Sequence, residues 1–234
     1  MPTQLLSEYL SETATLDQND AGSGVKIAES NHRIANNLTL IAGMLRLQAN
    51  EIAKSERTLS ASEARMLLSE VSARIDTVGR LHRLLAQDGA GHLDMTDYLQ
   101  DIAEAAIQSM SGKNFTLAPA SSGSCQLPPQ IALSVGFMVG EAVTNAVKYA
   151  HPAGAPGIIA LECHRTSDGS TVVRVCDDGV GLPQDFDANS DGGLGMRVMR
   201  SLARQLGADL TFASHATGLT VNLRLPPNRP IVAA

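Results

Sequence analysis

"GEAVTNAVKYAHP", residues 140–152, closes a helical pattern that opens at Pro128–Pro129. Val135, Met138, Val139, Ala142, Ala146 and Ala150 recur at steps of three and four, the period of a helix with one apolar face. Glu141, Asn145 and Lys148 form a second, polar stripe within ~60° beside that core. A helix from about 129 to 150 is expected, with proline in the first turn, where its missing N–H costs nothing. The polar stripe has two readings. It is a surface network of groups one turn apart, or a set for a divalent cation and phosphate oxygens, since Mg²⁺ takes hard oxygen ligands and shares them with a nucleotide.

Working outward, "GIIALECHR" (157–165) and "STVVRVCD" (170–177) read as strands flanking Ser167-Asp168-Gly169, a hairpin signal. On the second strand, Val173, Val175 and Asp177 alternate onto one face, the face a helix should cover. A carboxylate in that phase must find a donor or incur a penalty of several kcal/mol. The exocyclic amine of adenine is one such donor; the other reading is an ordinary Asp-Asp-Gly turn. Gly179 and Gly181 then allow the backbone to turn tightly against a ligand. In "DGGLGMRVMRSLARQLG" (191–207), Gly193 and Gly195 precede a helix expected at about 195–206. Its free N–H groups suit phosphates, or the glycines are only a hinge. Arg197, Arg200 and Arg204 share a face read as solvated.

Strands near "ADLTFAS" (208–214) and "LTVNLRLP" (219–226), a short strand near "FTLA" (115–118), and a helix over "LDMTDYLQDIAEAAIQSM" (93–110) complete this half. Asp94 or Thr96 is the candidate cap. Antiparallel hairpins with interspersed helices predict an α+β sandwich.

Toward the N-terminus the pattern changes. Ile27, Ile34, Leu38, Ile41, Leu45 and Ile52 mark a heptad-like helix, with Asn31 and Gln48 filling the seam. "SERTLSASEA" (55–64) interrupts it, and Leu67, Val71, Ile75, Val78, Leu81 and Leu85 mark a second helix. The two make an antiparallel hairpin, too thin to cover its own apolar surface; pairing with a second copy into a four-helix bundle is the remedy. In "ESNHRIANNLTL" (29–40), Glu29, His32 and Asn36 fall within a ~60–100° arc beside the Ile34/Leu38/Ile41 seam. His32 is thus expected outside the bundle. It is an incidental surface histidine, or a neutral imidazole that attacks phosphorus, with Glu29 orienting the ring or taking its proton and Asn36 positioning water.

The domain reading is a segment 1–24, a helical hairpin 25–90 ending in the linker "QDGAGH", an α+β domain 91–226 and a tail 227–234. Charge is −6 over 234 residues, which argues against a general hold on nucleic acid or anionic lipid. Cys125, Cys163 and Cys176 form no CxxC motif and read as small core hydrophobes in a reducing compartment. There is no secretory signal pattern at the start. The longest apolar run, 131–140, is about half of what a bilayer needs. No membrane span and a cytoplasmic location are expected.

The order of these stretches resembles the histidine kinases of two-component signalling, specifically the branch with an HRxxNN motif (HisKA_2, close to the HWE group). "EsnHRiaNN" is similar to the phosphoacceptor box, "GEAVTNAVKYAHP" to the N box, "DDGVGLP" to the G1 box and "GGLGM" to the G2 box; Gly218 and Thr220 resemble the last pair of the ATP-binding fold. The likeness covers roughly 25–226. It implies the histidine-kinase (Bergerat) ATPase sandwich and a dimeric hairpin. It further implies ATP and Mg²⁺ as cofactors, His32 as the phosphorylated residue and Asn145 as metal ligand. Glu141 would assist metal and water positioning, Lys148 would lie near phosphates, and Asp177 would contact adenine. Gly179, Gly181, Gly193, Gly195 and Thr220 would shape the nucleotide pocket, with 182–192 as its lid. The implied partners are a response-regulator receiver domain, a second copy of the chain and a separate sensor protein, since only about 24 residues precede the first helix. Two departures stand out: Arg33 occupies the place of the acid that follows the classical histidine, and no Trp is present, so the WxE signature of the strict HWE group is missing. An ATP-independent phosphotransfer adaptor, or a net phosphatase of the regulator, is the alternative on the same fold.

Overall fold

The computed structural model describes residues 60–88, 93–110, 114–119, 125–188 and 190–227, with helical residues at 42–43, 46, 49–50 and 52–53 and the single residue 58. Glu29, His32 and Asn36 lie outside the described residues, as do residues 1–24 and most of the tail. The chain divides into two compact units, Met1–Leu40 and Ile41–Ala234; everything below concerns the second.

Ser60 starts helix α1 (Ala61–Asp88) with a reciprocal cap: its N–H and hydroxyl both donate to Glu63 Oε2, and the Glu63 N–H donates back to Ser60 Oγ at 3.2 Å. After a two-residue strand β1 (Leu93–Asp94), Asp94 caps α2 (Met95–Ser109) by accepting from the Thr96 N–H at 2.9 Å. Strands β2 (Phe115–Leu117) and β3 (Gln126–Leu127) lead to α3 (Pro129–Tyr149), with Pro at its first positions. Then come β4 (Gly157–Arg165), β5 (Thr171–Asp177), α4 (Leu194–Gln205), β6 (Asp209–His215) and β7 (Gly218–Leu225).

Five strands form one sheet in the order β2-β4-β5-β7-β6, parallel at β2–β4 and antiparallel elsewhere; β1 and β3 make a separate two-stranded antiparallel ribbon. Helices α2, α3 and α4 cover one face of the large sheet. This is the ATPase sandwich expected. The core stripe of α3 is buried throughout, from Val135 to Ala150, and Val143 and Val147 are buried as well. On the sheet, Val173, Val175, Leu223 and Leu225 are buried. On the opposite face a polar rung crosses four strands: Arg174 donates to Glu162 and Asn222, and Asn222 donates to Thr211. The 19 residues Ile131–Tyr149 are long and apolar enough to cross a membrane, but this is the packed central helix of the sandwich.

Two readings are corrected. First, the stripe of α1 buried within the single chain is Arg74, Thr77 and Leu81, of which only Leu81 was expected, while Ile75 is 52% and Leu68 68% exposed. Ile75 stands about 100° round the helix from Arg74. The cause is that α1 packs on α2 and α3 through polar groups. The Tyr98 hydroxyl donates to the Thr77 carbonyl at 3.5 Å, the Ser69 hydroxyl donates to the Ser109 carbonyl at 3.2 Å, and Arg74 pairs with Glu141. Burial pushes the Tyr98 hydroxyl well above its ordinary pKa, with Arg80 pulling the other way. Helix α1 lies in the same compact unit as the sandwich.

Second, Cys125 and Cys163, read as unpaired, form a disulfide with Cα atoms 5.5 Å apart; Cys176 is free. Both paired cysteines are buried, as small core hydrophobes should be. They meet because the segment entering β3 lies against the C-terminal part of β4, a proximity 38 residues apart in sequence. The pairing removes the support that unpaired cysteines lent to a reducing compartment.

Candidate functional site

The end of β5, the last turns of α3 and the start of α4 converge on one end of the sandwich. Asp177 is the last residue of β5 and half-buried. Its Oδ1 accepts the Gly179 N–H at 3.0 Å and the Leu219 N–H at 3.2 Å. These backbone donors answer the desolvation problem without a ligand. Among the described residues no hydrogen bond engages Oδ2.

Gly179 passes so close to the last turn of α3 that any side chain would collide with Ala150, and the Val180 N–H donates to the Ala150 carbonyl at 2.9 Å. Gly181 has φ of 71°, a left-handed conformation that disfavours side chains. The Leu182 N–H then donates to Ser214 Oγ at 2.8 Å, pinning the start of the 182–192 loop to β6.

On α3, Glu141, Asn145 and Lys148 are all half-buried on one stripe. Glu141 is not a free carboxylate. Its Oε1 accepts from Arg74 Nε at 2.8 Å and Nη2 at 2.6 Å, and the two side chains are 13% and 7% exposed. Its Oε2 lies against Gly195, where a Cβ would strike it. The acid of the polar stripe therefore bridges α1 to the first turn of α4. Gly193 caps α4 with extended backbone and no side-chain cap, and nothing crowds the space a Cβ would take there.

Thr220 is not brought to Asp177. It pairs with Cys176 across β5 and β7, donating to Sγ at 3.5 Å, so its side chain stands on the polar face of the sheet with Arg174 and Asn222. Directly opposed residues of an antiparallel pair share a face, and Asp177 projects from the other one. The neighbour that serves Asp177 is Leu219, through its backbone.

Three groups went unread in the sequence. Arg200, assigned to a solvated face, sends Nη1 to the Ala188 and Asp191 carbonyls, both at 2.8 Å, and so ties the 182–192 loop to α4. That loop also knots on itself through Asp187, Ser190 and Asp191. Next to Asp177, the Asp178 Oδ1 accepts from the Ile158 N–H at 2.9 Å and contacts His151 Nε2 at 2.8 Å. The histidine hydrogen bond holds the Asp178 carboxyl below its ordinary pKa. Arg74 is the third. The doubled aspartate of "CDDG" was the only local signal among them, since His151 lies 27 residues from its partner and Arg74 lies 67 residues from Glu141.

On its own chemistry the site suits a nucleotide: a carboxylate at the end of β5 whose Oδ2 takes no hydrogen bond among the described residues, an amide on the adjoining helix and a helix start without a side-chain cap. Among the described residues no three His, Cys, Asp or Glu side chains gather as a metal set. A cation there would need oxygens brought by the ligand.

The HisKA_2 histidine kinase family matches residues 29–110, and the histidine kinase-, DNA gyrase B- and HSP90-like ATPase family matches 131–229. Blue-light-activated histidine kinase 2 of Erythrobacter litoralis is 30% identical over 208 residues, 86% of this chain and 57% of that protein. The sensor histidine kinase PdtaS of Mycobacterium tuberculosis is 27% identical over 96% of this chain and 44% of its own length. The chain thus spans about half of each. The solved histidine kinase domain of the Erythrobacter litoralis blue-light activated kinase superposes with a TM-score of 0.64 at 29% identity, covering 85% of this chain and 92% of that domain.

Proposed function

The chain belongs to the histidine kinase family, and we propose that it moves the γ-phosphoryl group of ATP to His32 and from there to an aspartate of a response-regulator receiver domain. The observation that carries the nucleotide half is Asp177. Backbone donors fix its Oδ1, leaving Oδ2 to accept the exocyclic amine of adenine. Asn145 would hold Mg²⁺ together with phosphate oxygens, and the ion would neutralise charge on the transferring group. Lys148 lies along the same stripe for the phosphates, and Gly193 leaves the start of α4 open toward them.

In the transfer, a neutral ring nitrogen of His32 forms the N–P bond as the bond to the ADP oxygen breaks. The ring proton passes to Glu29, and Asn36 positions water for the reverse hydrolysis. The receiver aspartate then takes the phosphoryl group. Helix α1 leaves Leu68 and Ile75 exposed seven residues apart, an apolar seam suited to a second copy. Sedimentation of the purified chain should give the mass of two copies, and Leu68→Glu with Ile75→Glu the mass of one; a single-copy mass for the unaltered chain would contradict the dimer.

Titration with ATP and Mg²⁺ tests the nucleotide half. Saturable, Mg²⁺-dependent binding that weakens at least tenfold in Asn145→Ala is expected. No binding at all would point instead to an adaptor phosphorylated by another protein.

A further inference from the structure

Between the end of α3 and the end of β5 sits a polar side-chain contact to which neither the family likeness nor the proposed chemistry gives a role. We infer that His151 and Asp178 are positioning residues of the nucleotide site, clamping the segment that carries Asp177 against the helix that carries Asn145. The inference rests on the nucleotide reading of that site.

Two consecutive aspartates leave β5 and bind in different directions. Asp177 reaches Gly179 and the start of β7, whereas Asp178 reaches the start of β4 and His151. His151 follows Ala150, the C-cap of α3, and its ring rests on Phe115 of β2 with centroids 5.7 Å apart. Gly157 is close-packed against both rings, leaving no room for a side chain. The imidazole is therefore held from behind and presents Nε2 to the carboxylate at 2.8 Å, with only 17% of its side chain exposed.

Besides the apolar packing of α3 on the sheet, the junction holds, among the described residues, one backbone hydrogen bond, Val180 N–H to the Ala150 carbonyl, and the close pass of Gly179. Those contacts set spacing but not tilt. A bond between ionisable side chains is short and directional, and here it fixes α3 relative to β5. Asn145 lies less than two turns before His151, and Asp177 immediately precedes Asp178. Small changes in such a separation cost a bound substrate its geometry without touching any reacting atom.

Full-length chain carrying His151→Phe keeps the ring on Phe115 and loses the donor; His151→Gln restores an N–H near the same place. ATP affinity by calorimetry should fall about tenfold in His151→Phe, with the KM for ATP in phosphohistidine formation rising in parallel and kcat within twofold of the unaltered chain. His151→Gln should recover most of the loss. Asp178→Asn, which keeps an acceptor, should weaken ATP binding two- to threefold. Unchanged ATP binding in folded His151→Phe or in Asp178→Asn, or equal losses in the Phe and Gln variants, would overturn the inference. If the unaltered chain bound no ATP, the nucleotide reading itself would fall, and the clamp with it.

Discussion

Arg74 of α1 and Glu141 of α3 meet through one carboxylate oxygen, which takes both Nε and Nη2 of the guanidinium, while the other oxygen lies against Gly195 of α4. Three helices are thereby joined at the acid of the nucleotide-site stripe. Removing one partner of a pair this buried leaves the other charge without compensation, which costs about 3 kcal/mol. Arg74→Leu should lower Tm by about 6–12 °C for a chain of this size. Thermal unfolding of Arg74→Leu, Glu141→Leu and the double variant would give a coupling of about 2 kcal/mol between them. Additive losses would mean the bond holds nothing together.

Asp177→Asn separates scaffold from recognition. The amide oxygen can still accept from Gly179 and Leu219, so the fold should persist with a Tm change of only a few degrees. The amide nitrogen cannot accept from adenine. ATP affinity should fall at least tenfold, or about 1.4 kcal/mol, in a fluorescence or calorimetric titration. Equal affinity would remove Asp177 from the site.

The β4–β5 hairpin carries a pH-dependent element far from the nucleotide. Asp168 is held far below the usual carboxylate range by the Thr166 hydroxyl, then by the Ser170 N–H and Arg224. A carboxyl with a depressed folded pKa contributes stability that is fully present above its unfolded pKa of about 3.9 and fades as pH falls below it. Urea unfolding at pH 6 and pH 3 should therefore show a smaller acid loss in Asp168→Asn than in the parent chain. An identical loss would show that the hairpin bonds do not matter to folding.

Cys125 and Cys163 close a loop of 38 residues in sequence separation. Cross-linking a loop of that length stabilises by about 4 kcal/mol in the chain-entropy account. Alkylation of the denatured, unreduced protein should modify Cys176 alone, and reduction should lower Tm. Modification of all three cysteines without reductant would contradict the pairing.

Local periodicity revealed the elements that carry the site. The 3.6-residue stripe of Val135 to Ala150 placed α3 and turned Glu141, Asn145 and Lys148 to one side, and alternation put Asp177 in phase with Val173 and Val175. What stayed hidden depends on partners distant in sequence. Arg74 reads as one more polar residue of an amphipathic helix until α1 is seen against α3. The cysteine pair requires the lie of β3 on β4. Thr220 failed for a different reason: on a strand, a shift of one residue changes faces, and only the Cys176–Thr220 register shows which face it takes. The two-residue strands β1 and β3 are too short to carry a period.

Incubation with γ-labelled ATP and Mg²⁺, followed by mapping of acid-labile phosphate, is the most direct test of the account. It predicts label on His32 that is stable to base, lost in acid and absent from His32→Ala. Undiminished acid-labile label in His32→Ala, or label confined to another residue, would contradict it.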